Sequence, residues 1–142
     1  MEIKDEIIKL TLKEEFTPLQ PYFKKLIEEN QLVNANIVCW VPHEVASIVQ
    51  IGWEDGLLDD IKEFLNDTAP KDTWKNHDEP GTPFRYNFHE HIRTKLVGNV
   101  SMTVIVKDGE LYIGKYQDLY FYSPVYNHIT EQNIFCRIMK FN

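Results

Sequence analysis

The sequence predicts an α+β fold dominated by antiparallel strand pairing, and three observations carry that reading. Short apolar, β-branched runs recur along most of the chain, separate segments repeat apolar residues at helical spacing, and Asp108-Gly109 stands between two strand-like runs as a hairpin turn. The chain has 142 residues, of which 43% are hydrophobic and 13% aromatic, enough to bury one core. A single domain over residues 1–142 is expected, with two to three helices packed on the sheet elements.

Residues 2–13 read as a first strand whose apolar side is supplied by Ile3 and Ile7 and then, after a slip of phase, by Ile8, Leu10 and Leu12; the slip predicts a bulge or bend. Thr17-Pro18 has the chemistry of a helix start, Thr as N-cap and Pro in the first helical position. Leu19, Tyr22, Phe23, Leu26 and Ile27 follow at helical spacing to about Asn30. Two β-branched runs come next, 34–41 and 45–51, joined by Pro42-His43-Glu44, where proline ends or bends the ladder. Trp53 to Asp67 reads as a helix with Trp53, Leu57, Leu58, Ile61, Phe64 and Leu65 on one stripe.

The prolines and glycine of residues 69–83 exclude regular structure, leaving a long loop that carries His77 and Asp78. A short helix from about Asn87 to Val97 ends at Gly98, read as a left-handed C-terminal cap. The remainder reads as strand: 100–106, the Asp108-Gly109 turn, 111–116, 119–125 and 134–141.

Charge and composition narrow the function. Lys and Arg total 15 against 22 Asp and Glu, a formal charge of −7, and such a field repels nucleic acid and anionic membrane surfaces. No apolar run approaches the roughly 20 residues of a membrane helix, and charges interrupt the first 13 residues, so a cytoplasmic protein is expected. Cys39 and Cys136 lie in apolar strand-like runs and read as free buried thiols.

The candidate chemistry rests on three histidines in distinct contexts: His43 at a strand junction, His77 in the long loop, and His91 on the short helix. Three neutral imidazoles with a fourth position open make a catalytic rather than a structural metal site, for a divalent ion that is zinc-like or magnesium. Asp78, beside His77, is placed to orient an imidazole or offset the ion's charge. The spacings match no local zinc motif, and each histidine alone also reads as a surface or hydrogen-bonded residue. His89 and His128 are set aside. Arg93 and Lys95 read either as phosphate contacts or as a solvated face near a helix C-terminus; helical geometry turns Arg93 about 200° from His91, whereas Lys95 shares the His91 face.

Val41-Pro42-His43-Glu44-Val45-Ala46, Asn76-His77-Asp78, His91 through Gly98, and Asp108 through Gln117 resemble, in order and approximate spacing, the motifs of the YjbQ-like family. The resemblance covers nearly the whole chain, and His91 through Gln117 is its most specific part. It implies a compact, mostly antiparallel α+β domain, a homotrimer, and secondary thiamine-phosphate synthase activity on a phosphorylated or heterocyclic small molecule. It also implies a site where His43, His77 and His91 gather, with Gln117 kept from the family's Gly-x-x-Gln segment and Arg93 standing where the family has lysine.

The chain departs from that pattern at several positions. Glu44 and Val45 replace hydroxyl residues, Ile51 and Gly52 replace an Asn-Glu pair whose nearest carboxylates are Glu54 and Asp55, and Ser123 stands where an acidic residue is usual. Two readings therefore stand: a small metal-assisted enzyme, or a binding or scaffold homologue that keeps the fold without catalysis.

Overall fold

The structure is a computed structural model that describes residues 1–142. Eleven elements follow one another: β1 (Glu2–Thr11), β2 (Phe16–Pro18), α1 (Gln20–Glu29), β3 (Ala35–Trp40), β4 (Ser47–Gly52), α2 (Leu57–Thr68), α3 (Phe88–Val97), β5 (Ser101–Lys107), β6 (Glu110–Leu111), β7 (Gln117–Tyr122) and β8 (Glu131–Lys140). They form two sheets, one of five strands in the order β1-β8-β3-β5-β6 and one of three in the order β2-β7-β4. Every pairing is antiparallel, so the α+β architecture expected from the sequence is the one observed.

The core lies between the sheets. Alternate residues of the larger sheet (Ile8, Leu10, Ile37, Cys39, Val104, Ile134, Ile138) meet Phe23, Leu26 and Ile27 of α1 and Ile48, Leu119 and Phe121 of the smaller sheet. The opposite face of the smaller sheet, Phe16, Tyr120 and Tyr122, packs on Leu65 and the flanking Leu58 and Ile61 of α2. Tyr122 is fully buried, and burial pushes its hydroxyl pKa above the ordinary tyrosine range. Cys39 and Cys136 are free, buried and directly opposite in register.

Several boundaries differ from the sequence expectations. β1 contains no bulge: ten residues pair with β8 without interruption. Ile3 and Ile7 lie on the outer face, and the apparent slip of phase is a change in which face carries the apolar residues. Thr17-Pro18 starts no helix. Phe16–Pro18 pairs at the edge of β7, where proline's missing N–H costs little, and α1 begins at Gln20 with Pro21 in its first turn. Trp53 precedes α2, because Gly56 adopts φ 83° at the N-cap; the indole instead donates to the Lys115 carbonyl at 3.1 Å. Phe64, placed on the buried stripe by periodicity, is 58% exposed. The 111–116 strand shrinks to the two residues of β6, while Asp108 and Gly109 both take the positive φ the turn requires.

Gly98 is extended rather than left-handed, and close approach is what demands glycine there. A Cβ would lie 2.6 Å from the Ile48 carbonyl oxygen, because Asn99 and Ile48 exchange backbone hydrogen bonds of 2.9 and 3.0 Å. That bridge fastens the end of α3 to β4.

Candidate functional site

The site grows from three segments that the topology brings together. Residues 41–46 cross from β3 in the larger sheet to β4 in the smaller one, and Pro42 releases His43 and Glu44 from the strand alternation. The long loop enters α3 at Asn87, whose backbone carbonyl receives the Glu90 amide at 2.9 Å. On α3, the i, i+4 pair His91 and Lys95 faces Glu44, while Glu90, Arg93 and Thr94 turn inward.

His77, Glu79 and His91 each offer a ligand atom, all within 4.8 Å of one another. His77 Nε2 lies 3.4 Å, and His91 Nε2 3.8 Å, from the same oxygen, Glu79 Oε2. The two rings stand edge to face with centroids 5.1 Å apart. His91 Nε2 is buried and has no hydrogen-bond partner. Its other nitrogen, Nδ1, faces Glu44 Oε1 at 3.5 Å. Glu44 therefore favours the proton on Nδ1 and leaves the Nε2 lone pair directed at the group.

Both carboxylates are held ionised. The hydrogen bond from Asn87 Nδ2, 2.7 Å from Glu79 Oε2, lowers the Glu79 pKa, with His77 adding to the effect. The Lys95 ammonium bound to Glu44 lowers that pKa in the same way, and His91 contributes.

A cavity of about 440 Å³ opens beside this group, and a second depression of about 250 Å³ adjoins it; Glu44 and His91 line both. The larger cavity is walled by three carboxylates, Glu44, Glu79 and Glu90, and three imidazoles, His43, His91 and His128, with no Lys or Arg among its lining residues. Glu90 is 2% exposed, and burial pushes its pKa upward. Its Oε2 sits 3.9 Å from His128 Nε2.

The residues expected from the sequence fall into distinct places. His77 and His91 come together. His43 lines the same cavity but stands outside the group of three: its Nε2 accepts the Asn133 backbone N–H at 3.0 Å, which leaves Nδ1 to carry the proton. Asp78 makes no hydrogen bond to His77 and is gripped by Arg85 through two hydrogen bonds of 2.7 and 2.8 Å. Arg93 is buried and donates twice, at 3.1 and 2.8 Å, to the Ala69 carbonyl that closes α2. Gln117 accepts from Gln50 Nε2 at 2.6 Å and from the Gly114 amide at 3.1 Å, bracing the loop before β7. Glu79, Glu44, Glu90 and His128 are the members that sequence reasoning missed. For Glu44 a signal existed, its departure from the family's hydroxyl residue; for Glu79 it was the His-Asp-Glu run, in which the second acid rather than the first faces the histidines.

Fold and site together define a small α+β domain in which a histidine–carboxylate group able to hold a metal sits in a cavity beside the crossing between two antiparallel sheets. The family model described as UPF0047 protein YjbQ-like matches residues 6–140, and the chain belongs to that family. A UPF0047 protein of Methanocaldococcus jannaschii is 32% identical over 115 residues, covering 80% of this chain and 78% of the relative. One of Archaeoglobus fulgidus is 32% identical over 85 residues, covering 60% of this chain and 64% of the relative. Among solved structures, a YjbQ/UPF0047-family protein of Clostridium acetobutylicum superposes with TM-score 0.77 at 23% identity, covering 94% of this chain and 99% of that one. A YbjQ-like protein of Sulfolobus solfataricus gives 0.74 at 18%, covering 99% of each. At those identities the two structures speak for the fold.

Proposed function

We propose that the chain is a metal-dependent small-molecule enzyme whose ion is held by His77, Glu79 and His91, with substrate in the 440 Å³ cavity. The buried, unpartnered Nε2 of His91 carries this reading: a polar atom removed from water without a partner is costly, and an ion shared with Glu79 Oε2 and His77 Nε2 would satisfy it. Two imidazoles and one carboxylate favour a zinc-like ion over magnesium, which prefers oxygen ligands. Such an ion would supply Lewis acidity for a bound water or substrate oxygen.

The chain's own residues divide the remaining work. Glu44 sets the His91 tautomer, Asn87 fixes the Glu79 carboxylate, and His43 lines the cavity as an Nδ1-protonated ring. Secondary thiamine-phosphate synthesis, implied by the family resemblance, is the reaction proposed. The cavity lining carries no cationic side chain, so a diphosphate would need a counter-charge that Lys95, committed to Glu44, does not freely offer. The same cavity in a homologue that binds without turnover would show metal and ligand but no product.

A homotrimer accompanies the proposal. The outer face of the larger sheet exposes Ile3, Ile7, Trp40 and Ile105, a surface that association would cover. The cytoplasm is the proposed compartment, in keeping with two unpaired thiols.

Elemental analysis of protein purified without an affinity tag tests the metal. About one zinc per chain is expected, lost in His91→Ala. Metal-free protein that takes up no zinc on titration overturns the reading, and sedimentation as a monomer overturns the trimer.

A further inference from the structure

We infer that Asn87, Glu90 and Gln132, buried residues that line the 440 Å³ cavity, provide a subsite for the amine- or amidine-type cation of a small ligand. This deepens the small-molecule reading of the cavity and rests on it, but it does not depend on the metal. Three buried oxygens there have no hydrogen-bond partner: Asn87 Oδ1, Glu90 Oε1 and Gln132 Oε1. Their residues are all at least nine-tenths buried, at 4%, 2% and 4% exposure, so water does not readily reach them.

The neighbours fix which atoms are the acceptors. Asn87 Nδ2 donates to the Glu79 carboxylate at 2.7 Å, and turning the amide over would set two oxygens against each other. Gln132 Nε2 donates to the Ile129 carbonyl at 3.0 Å and to Ser123 Oγ at 2.9 Å, which likewise leaves Oε1 as the free end. Two amide oxygens and a carboxylate oxygen, all on residues that line this one cavity, ask for N–H donors. The lining supplies no Lys or Arg to provide them.

Charge points the same way. With Glu44 neutralised by Lys95, Glu79 and Glu90 remain as carboxylates on the lining of a cavity without Lys or Arg, in a chain of net charge −7, and a cation is the ligand charge such a lining stabilises. Size is no obstacle, because about 150 Å³ suffices for a benzene ring in a protein cavity.

Benzamidine, an amidinium on a single ring, and benzyl alcohol, a neutral single-ring control, are suitable probes. Calorimetric titration of the full chain, once metal-free and once zinc-loaded, is expected to show saturable benzamidine binding at least tenfold tighter than benzyl alcohol in both forms. Amide shifts in nitrogen-labelled protein should centre on Asn87, Glu90 and Gln132. Glu90→Gln should weaken benzamidine at least tenfold while zinc uptake stays unchanged. Equal affinity for the two probes, or benzamidine shifts centred elsewhere, overturns the inference, and both readouts use the unmutated protein, so the outcome stands even if Glu90→Gln fails to fold. Zinc uptake without benzamidine selectivity sinks the subsite alone, whereas benzamidine selectivity without zinc uptake sinks the metal alone.

Discussion

His91 and Glu79 face each other with Nε2 and Oε2 3.8 Å apart, and no hydrogen bond occupies that ring nitrogen. The gap is too long for a direct bond and of the right order for two ligands of one ion, whose bonds to N and O donors are each about 2 Å. Glu79→Gln should reduce zinc affinity by two orders of magnitude or more, read by competition with a chromophoric chelator. The fold should survive, because Glu79 lies in a half-exposed loop. Unchanged affinity in this variant would remove Glu79 from the ligand set.

Glu44 touches no proposed ligand atom on the metal side, and its effect is exerted through Nδ1 of His91. Glu44→Gln should weaken zinc by about 10- to 100-fold, the usual result of removing a carboxylate behind a histidine ligand. The proton resonance of His91 should also change tautomeric signature in long-range nitrogen spectra. Lys95→Met, which removes only the partner of Glu44, should have the smaller effect of the two.

Arg93 offers a clean separation between a phosphate contact and a structural bolt. Its guanidinium donates twice to the Ala69 carbonyl at the end of α2, and buried hydrogen bonds from charged groups contribute about 1.5–3 kcal/mol each. Arg93→Met should lower unfolding free energy by about 2–3 kcal/mol and speed amide exchange in the last turn of α2. Zinc affinity should be unchanged. Asp78→Asn should leave stability within the error of urea titration and zinc uptake nearly unchanged, since both hydrogen bonds of Asp78 go to the exposed Arg85.

Burial and the nearby Arg93 push His89 down to about 4. The unfolded chain takes up this proton near pH 6.5 and the folded chain only near pH 4, so stability is present above pH 6.5 and is lost as pH falls through that window. Glu90, raised by its own burial, acts with the opposite sign, because its folded form holds a proton to higher pH than the unfolded chain does. The urea midpoint should therefore fall from pH 6.5 to 4, less steeply in His89→Gln and more steeply in Glu90→Gln. Identical slopes in all three proteins would refute the assignment.

How far the sequence could be read depended on range. The Asp108-Gly109 turn and the β3 and β8 runs were legible because each is set by local chemistry, positive φ in the turn and apolar runs in the strands, whereas the α3 span was read from Gly98 at its end, a residue that proves extended. Thr17-Pro18 misled because the same dipeptide suits a helix start and a strand edge, and only the distant Tyr120 and Tyr122 decide between them. His77 and His91 were found by type and context. Their partner Glu79 was hidden by its neighbour Asp78, since nothing local says which of two adjacent acids Arg85 will claim. The buried role of Arg93 was invisible for the same reason: its acceptor lies 24 residues away at a helix end.

The Pro42-His43-Glu44 crossing ties the chemistry to the architecture. His43 is latched to the backbone of β8 in one sheet, while Glu44 meets α3, whose end is stitched through Gly98 and Asn99 to β4 in the other. The cavity is thus a gauge of the spacing between the sheets. Substitutions deep in the shared core, far from any polar group, should tune ligand affinity, and ligand should in turn tighten the core.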